Sequence, residues 1–260
     1  AIRVDHRRGV VLRRNALEDP DVNEAWLSDK DRFAFTWQTA DDRLTYPLAR
    51  IDGELQQVSW SEALERAAAG LADGAGVLTG GRLPIEDAYA YVKFARVVLG
   101  TNDIDFRARS HSGEETVFLG NHVAGNRLGV TFADLVKAPA VLLVAFEAEE
   151  EGGIVFLRLR KGVTNGTVKV TTVAPFISEG AAKLSATLLP TAPGTEAEVL
   201  AAIDTTSSDE TLAATAQALS APGAVILVGE RLAGVAGGYT AALALAERTG
   251  ARLAWIPRRA

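Results

Sequence analysis

The seven residues Ala140–Phe146 are apolar at every position. A strand with one wet face alternates polar and apolar residues, so a run of this kind suits an interior parallel strand covered on both sides. Similar runs alternate with helical patterns along most of the chain. Ser61–Glu62–Ala63–Leu64 opens a helix that runs through Ala69 and ends at Gly70, with Ser61 as its cap. Gly76–Thr79 then reads as a buried strand, and Pro84–Val98 as a helix with proline in its first turn and Gly100 past its end. Beyond Ala140–Phe146, the pattern predicts a helix over Ile154–Gly162 and a strand over Thr167–Ala174. Helices come next at Thr195–Ile203 and Ser208–Leu219, with Thr195 and Ser208 as caps. Ala224–Val228 reads as a strand, Gly238–Thr249 as a helix stopped by Gly250, and Ala251–Ile256 as the last strand. Arg158, Arg160 and Lys161 stand toward the end of their helix, where cations complement the dipole. The expected fold is α/β, a mostly parallel sheet with helices on both faces. Residues 1–40 differ: Val10–Val11–Leu12 lies between arginines, an acidic turn comes at Glu18–Asp21, and Trp26, Phe33, Phe35 and Trp37 stand after it. A small β-rich or irregular module fits there, and it should pack on the larger domain C-terminal to it.

Composition excludes several function classes. With 48% hydrophobic and 23% charged residues in 260, the chain is no disordered or fibrous segment. No apolar run approaches the roughly 20 residues that span a bilayer, so direct membrane insertion is not expected. Ile2–Arg14 alternates charge with aliphatics and builds no signal-peptide core. Lys and Arg number 27 against 33 Asp and Glu, a net charge of −6 that repels phosphate backbones, so no nucleic-acid partner is expected. The basic group Arg7, Arg8, Arg13 and Arg14 reads as a solvated face or a protein contact. The chain has no cysteine, which excludes disulfides, cysteine nucleophiles and thiolate-held zinc or iron–sulfur clusters within it. It also has no methionine, which reads as an internal fragment of a longer protein, with Ala1 as a cloning remnant.

Catalytic motifs are missing: there is no phosphate-binding P-loop, no H-E-x-x-H, no G-x-S-x-G and no dinucleotide fingerprint. Gly76–Gly81 reads as a tight turn. Of the three histidines, His6, His111 and His122, only His111 has serine and carboxylate neighbours, in Arg109–Glu115. That stretch reads as a polar loop ending in a helix cap rather than a triad. Asp103 and Asp105 share one side of an extended segment, as a hydrated strand end does. No catalytic and no metal-ligating residue is assigned. The informative loop is the one after Ala140–Phe146, because open α/β sheets bind ligands at the carboxyl ends of their strands. Here Glu147, Glu149, Glu150 and Glu151 occupy the position where a pyrophosphate would sit, and each repels phosphate.

Several segments together resemble one family. They are Val22–Phe33, Asp42–Leu48, Glu86–Arg96, Gly100–Phe106, Ala138–Val144 and Phe156–Lys161, in an order and spacing that cover nearly the whole chain. They resemble the molybdopterin-oxidoreductase-like region in the large iron–sulfur subunit of respiratory complex I, the NADH:quinone oxidoreductase. The resemblance implies a small iron–sulfur-type module at residues 1–45, here without a cluster, and a molybdopterin-oxidoreductase-like α/β domain at 46–260. Some members of the family carry a cluster whose last cysteine lies in a Cys-Asp-x-Gly-Arg-Phe motif. Ser28 takes the place of that cysteine and Asp31 that of the glycine, and serine lacks the soft thiolate a cluster needs. Lys30 matches the lysine that lies between cluster and cofactor in molybdenum relatives. Glu147 opens the loop where those relatives grip cofactor phosphates. Ser28, Lys30 and Glu147 are thus degenerate cluster or pterin positions.

The resemblance implies a structural segment of the electron-transfer subunit. No cofactor is expected in it, and the family's iron–sulfur clusters are expected upstream of residue 1. Implied partners are the other peripheral-arm subunits of complex I, at the cytoplasmic face of a bacterial inner membrane. The alternatives are a cofactor-binding part of a molybdopterin-type oxidoreductase and a small-molecule-binding α/β module.

Overall fold

A computed structural model describes residues 2–80, 83–106 and 111–257. Contacts divide the chain into two units, Ala1–Phe35 with Ser110–Ala260, and Thr36–Arg109. In the first, β1 (Ile2–Arg7) and β2 (Val10–Ala16) form an antiparallel hairpin whose register shifts between Asp5 and His6. The short helix α1 (Asp29–Phe33) comes after it, capped by Ser28.

The second unit begins with the hairpin of β3 (Leu48–Ile51) and β4 (Glu54–Gln57). It closes through Asp52 and Gly53, both at positive φ, the backbone that a two-residue turn between right-twisted strands requires. Helix α2 (Trp60–Leu71) comes next, capped by Ser59 rather than Ser61. Ser59 lies three residues before Glu62, so its hydroxyl reaches the Glu62 amide, whereas Ser61 already stands inside the first turn. The helix also runs past Gly70, which costs it some stability without ending it. Then come β5 (Val77–Leu78), α3 (Ile85–Lys93) and β6 (Ile104–Asp105). Pro84 caps α3, and a π-helical turn, Phe94–Val98, continues it. β5 pairs in parallel with β6, outside the main sheet, and Leu78 is exposed, so the expected buried strand is only a short edge pair. Gly81 lies outside the described residues.

The chain then builds the body of the first unit. In order these are α4 (Gly113–Phe118), α5 (Phe132–Lys137), β7 (Ala140–Val144), α6 (Ala148–Glu151), α7 (Gly153–Thr164), β8 (Lys169–Ala174) and α8 (Glu179–Lys183). After these come β9 (Thr187–Pro190), α9 (Glu196–Ala202), α10 (Glu210–Leu219), β10 (Val225–Gly229), α11 (Gly238–Thr249) and β11 (Arg252–Ile256). The five strands make one parallel sheet in the order β11-β10-β7-β8-β9. The expected α/β architecture is the one observed. One more cap assignment changes, and one keeps its position without a side-chain capping bond. Asp209, not Ser208, caps α10, its carboxylate accepting the Thr211 and Leu212 amides. Thr195 holds the cap position of α9, but its hydroxyl donates to Ala192 O instead.

Alternation along the strands divides the core. Leu142, Val144, Ile226 and Val228 point into one layer with Leu200, Leu219, Tyr239 and Leu245 from α9, α10 and α11. Val141, Leu143, Val225 and Leu227 point into the other with Leu135 of α5 and Phe156 and Leu159 of α7. Every residue of β7 and β10 is buried. Each such Leu, Ile or Val contributes about 1.5–3 kcal/mol by leaving water. Both sheet faces are therefore dry, which is why these strands lack polar alternation.

Candidate functional site at the carboxyl end of the sheet

The strand order reverses beside β7: β8 and β9 lie on one side of it, β10 and β11 on the other. In such sheets the crevice between the two directions, outside the carboxyl ends of the strands, is where ligands bind. The chain itself fills this crevice. Ala145 leaves β7 at φ +49, a left-handed conformation that few side chains adopt. β10 ends in Gly229 because any larger residue there would run its Cβ into the Ala145 carbonyl.

The acidic loop after Ala145 folds into the turn α6, and three of its four glutamates meet cations brought by different elements. Glu149 pairs with Lys183 of α8 at 2.6 Å, Glu150 with Lys30 of α1 at 2.9 Å, and Glu151 with Arg231 after β10 at 3.1 Å. Lys30 also donates to the Glu150 carbonyl at 2.9 Å. Glu151 accepts the Glu147 amide at 2.9 Å, closing the turn on itself. The Glu147 carboxylate lies against Gly180, where a Cβ would meet its Oε1 at 2.5 Å. Hydrogen bonding to Glu149 raises the pKa of Lys183 and so keeps it charged.

The second feature of this end is Glu114. The N-terminus of α11 comes after β10, and Gly237, its cap residue, has no side chain to accept the free amides. Glu114 does so from α4: its carboxylate accepts Gly237 N at 3.0 Å and both Thr240 N and Thr240 Oγ1 at 2.7 Å. A carboxylate of the chain thus stands where a helix N-terminus would take an anion. Glu114→Ala should lower unfolding stability by about 1–2 kcal/mol, since it removes a helix cap with its dipole interaction. Urea denaturation measures this, and an unchanged midpoint would show that water replaces the carboxylate at no cost.

Ser28 caps α1, accepting the Asp31 amide at 3.2 Å and donating to Asp31 Oδ2 at 2.8 Å. It packs on the start of α7, where a Cβ on Gly153 would lie 2.8 Å from its own. Ser28 and Lys30 therefore share a helix, and Lys30 reaches the loop that Glu147 opens. The other sequence candidates are scattered. His122 stacks on Phe118 at 5.6 Å, His6 lies on β1, and Asp103 and Asp105 belong to the other unit. Ser112 caps α4, as expected for that loop, while Arg109 and Ser110 fall outside the described residues. Among the described residues, no group of three or more His, Asp or Glu gathers as a metal site.

Lys161 stands in the last turn of α7, where it complements the dipole as expected, whereas Arg158 takes a different role. Arg158 is buried and donates to Pro20 O at 3.0 Å and Val22 O at 2.8 Å, while its other nitrogen meets Glu24 at 2.8 Å. Lys161 reaches the same carboxylate at 2.9 Å. Their side chains reach across to the Asp19–Trp26 turn because a guanidinium loses less by burial when carbonyls and a carboxylate surround it. The hydrogen bond from Lys161, with the charges of Arg158 and Lys161, lowers the pKa of the Glu24 carboxyl despite some desolvation. A carboxyl with a folded pKa below its unfolded value stabilises the fold fully above about pH 4.5. That contribution is lost as pH falls through the folded value. Stability should therefore fall as pH drops below about 4.5 and through the lowered folded value, and Glu24→Gln should flatten that part of the curve. Identical acid limbs in urea titrations of the two proteins would rule Glu24 out as a source.

Comparisons with known proteins bear on this arrangement. Residues 43–247 match the family model described as molybdopterin oxidoreductase. Residues 1–36 match the NADH-ubiquinone oxidoreductase NDSU1/NuoG-like 4Fe-4S domain. The whole chain is 55% identical to the G subunit of the NADH-quinone oxidoreductase of Streptomyces coelicolor, covering 33% of it. The corresponding protein of Mycobacterium tuberculosis is also 55% identical over the whole chain, which covers 32% of it. The F420-dependent formate dehydrogenase 1 subunit alpha of Methanococcus maripaludis is 30% identical over 75% of this chain and 29% of its own. The chain spans about a third of the length of the curated relatives it matches.

One expectation is overturned. The sequence predicts no cofactor in this chain and iron–sulfur clusters only upstream of residue 1, yet residues 1–36 of the expected iron–sulfur-type module match a 4Fe-4S domain, so an iron–sulfur-binding region of the family lies within this chain. A cysteine count alone misses it, because the match rests on the surrounding segment. Clusters of this kind are held by cysteine thiolates, and this chain has none to supply, with Ser28 engaged in the cap of α1. The crevice, closed by Ala145, Gly229 and the glutamates, likewise does not fit the phosphates of a pterin cofactor.

Proposed function

Since the chain belongs to the molybdopterin oxidoreductase family, we propose that it serves as an architectural part of the large subunit of a NADH:quinone oxidoreductase. In the whole complex that subunit takes part in electron transfer from NADH to quinone. The observation that carries this reading is the 55% identity to the G subunit along the entire chain. The filled crevice supports the architectural part of it. Ser28, Lys30 and Glu147, the positions that correspond to cluster and pterin sites, act here as a helix cap, an ion-pair partner and a packing contact. The small module of residues 1–45 and the α/β domain of 46–260 form the two parts of this scaffold. Partners are the other peripheral-arm subunits, and the location is the cytoplasmic face of a bacterial inner membrane. No helix among the described residues is long and apolar enough to cross a membrane.

An affinity tag on this polypeptide in its own cells tests the reading. Membranes should yield the tagged chain together with the remaining subunits and with NADH:quinone activity. Recovery of the polypeptide free of them, at native expression levels, would refute it.

A further inference from the structure

Residues 2–33 and the α/β body of their unit are held by different forces. Of residues 2–33 only Asn23 and Leu27 are buried, whereas β7 and β10 are buried along their whole length. The bonds that join residues 2–33 to the body are mainly ionic. Lys30 pairs with Glu150 at 2.9 Å, and both side chains are more than half exposed, at 54% and 66%. Lys161 pairs with Glu24 at 2.9 Å, again in contact with water. Arg158 is the buried member of the set: it meets Glu24 at 2.8 Å and donates to Pro20 O and Val22 O. The apolar side of this attachment is small, with Leu27 as its one buried hydrophobic side chain and Ser28 lying against Gly153.

The attached arrangement also carries strain. Glu24 and Ala25 both take positive φ, at 47° and 70°, and neither is glycine. Such a pair persists only where surrounding bonds over-determine it. Some of those bonds lie within the turn, where Val22, Asn23 and Glu24 donate to Asp19 O and the Asn23 side-chain amide donates to Leu17 O and Trp26 O. The others come from Arg158 on α7. The hairpin β1–β2 is tied in turn to α1, since Arg14 donates to Asp31 O at 3.4 Å and stands 5.4 Å over the Phe35 ring. A two-stranded hairpin without a core is marginal in water, so hairpin, turn and α1 lose their structure together once they leave α7.

We propose that residues 2–33 form a strap that opens from α6 and α7 as one cooperative unit while the sheet stays folded, with the Lys30–Glu150 and Lys161–Glu24 pairs as a salt-sensitive latch. Openings short of global unfolding draw on segments with few buried apolar contacts, and this strap is such a segment. The Debye length shrinks from about 10 Å at 0.1 M salt to about 3 Å at 1 M, which weakens exposed pairs, whereas buried contacts such as those of Arg158 are screened much less. Arg158 therefore sets where the strap sits, and the two exposed pairs set how often it lifts. The strap coincides with the region matched to the 4Fe-4S domain, so the latch lets that region part from the α/β body without disturbing the sheet. The inference does not depend on the proposed function.

Native-state hydrogen exchange of the full 260-residue chain, at about 0.05 M and about 1 M NaCl, tests it. The amides of Asn23 and Arg32, bonded to Asp19 O and Ser28 O, report on the strap, and those of Val225–Gly229 report on the sheet. The two strap amides should share one protection factor, at least about tenfold below that of the sheet. Raising the salt should lower it by about threefold further and leave the sheet amides unaccelerated. Lys30→Gln should give much of that loss already at low salt and shrink the response to salt, since the contacts of Arg158 stay in place. Strap and sheet exchanging at one common rate overturns the strap, because the chain then opens only by global unfolding. Unequal protection at Asn23 and Arg32 overturns the cooperative unit. Strap exchange that neither salt nor Lys30→Gln alters overturns the latch.

Discussion

Replacing Arg158 by alanine is expected to destabilise the protein by about 3 kcal/mol, because a buried ionic partner is removed from a network that cannot close without it. The guanidinium side chain is 6% exposed, whereas the Glu24 side chain is 30% exposed. Loss of the arginine leaves Pro20 O and Val22 O facing an emptied space and removes the constraint on two left-handed residues. Loss of the carboxylate is milder, since Glu24→Gln leaves the guanidinium its two carbonyls and Glu24 stands partly in water. The expected order is therefore Arg158→Ala well below Glu24→Gln in stability, with a shortfall from additivity when the two are combined. Arg158→Lys should recover little, because an ammonium cannot present the planar fork to two carbonyls and a carboxylate at once. Guanidinium denaturation of the unmodified protein and the four variants measures this, and hydrogen exchange should show the 19–27 segment opening first in Arg158→Ala. Equal losses from the arginine and glutamate changes would mean that the exposed pair, not the buried carbonyl contacts, carries the stability.

Gly229→Ala is expected to cost at least about 3 kcal/mol, the upper range for overpacking, because the obstacle is backbone rather than a movable side chain. The added Cβ would meet Ala145 O and C and the Phe146 Cβ together. Relief requires moving the ends of two central strands, β7 and β10, in a sheet buried on both faces. Gly120→Ala is the control: nothing lies within 4 Å of its Cβ position and it stands in a helical turn, so it should be neutral or stabilising by up to about 1 kcal/mol. Thermal unfolding separates the two directly. A harmless Gly229→Ala would show that the crevice can open between β7 and β10, and the description of it as closed would then fail.

Much of the fold is readable in the residues alone. The apolar runs at Ala140–Phe146 and Ala224–Val228 identify the two most buried strands, since only a sheet dry on both faces tolerates them. Gly250 is legible as the end of α11 because its left-handed backbone excludes most other residues. β9 escapes a reading by pattern because four residues at a sheet edge, two of them leucine and one proline, leave too short a run. The β3–β4 hairpin escaped it too, although Asp52–Gly53 is a strong turn signal with a legible cause.

The candidate site divides in the same way. Four glutamates after a buried strand announce a crevice hostile to phosphate, and their chemistry is local enough to be read from the order of residues. Their partners are not: Lys30, Lys183 and Arg231 come from elements 120, 34 and 80 positions away in sequence. Glu114 capping α11 across 123 residues and Arg158 holding Val22 across 136 are equally silent in the chain. What the sequence by itself determined was which segments must be buried and what chemistry the absent cysteines deny. Which charges meet, and which carbonyls a buried arginine satisfies, only the tertiary structure decided. Burial is a property of each residue and its near neighbours, whereas a pairing between distant charges exists only once the sheet has brought their elements together.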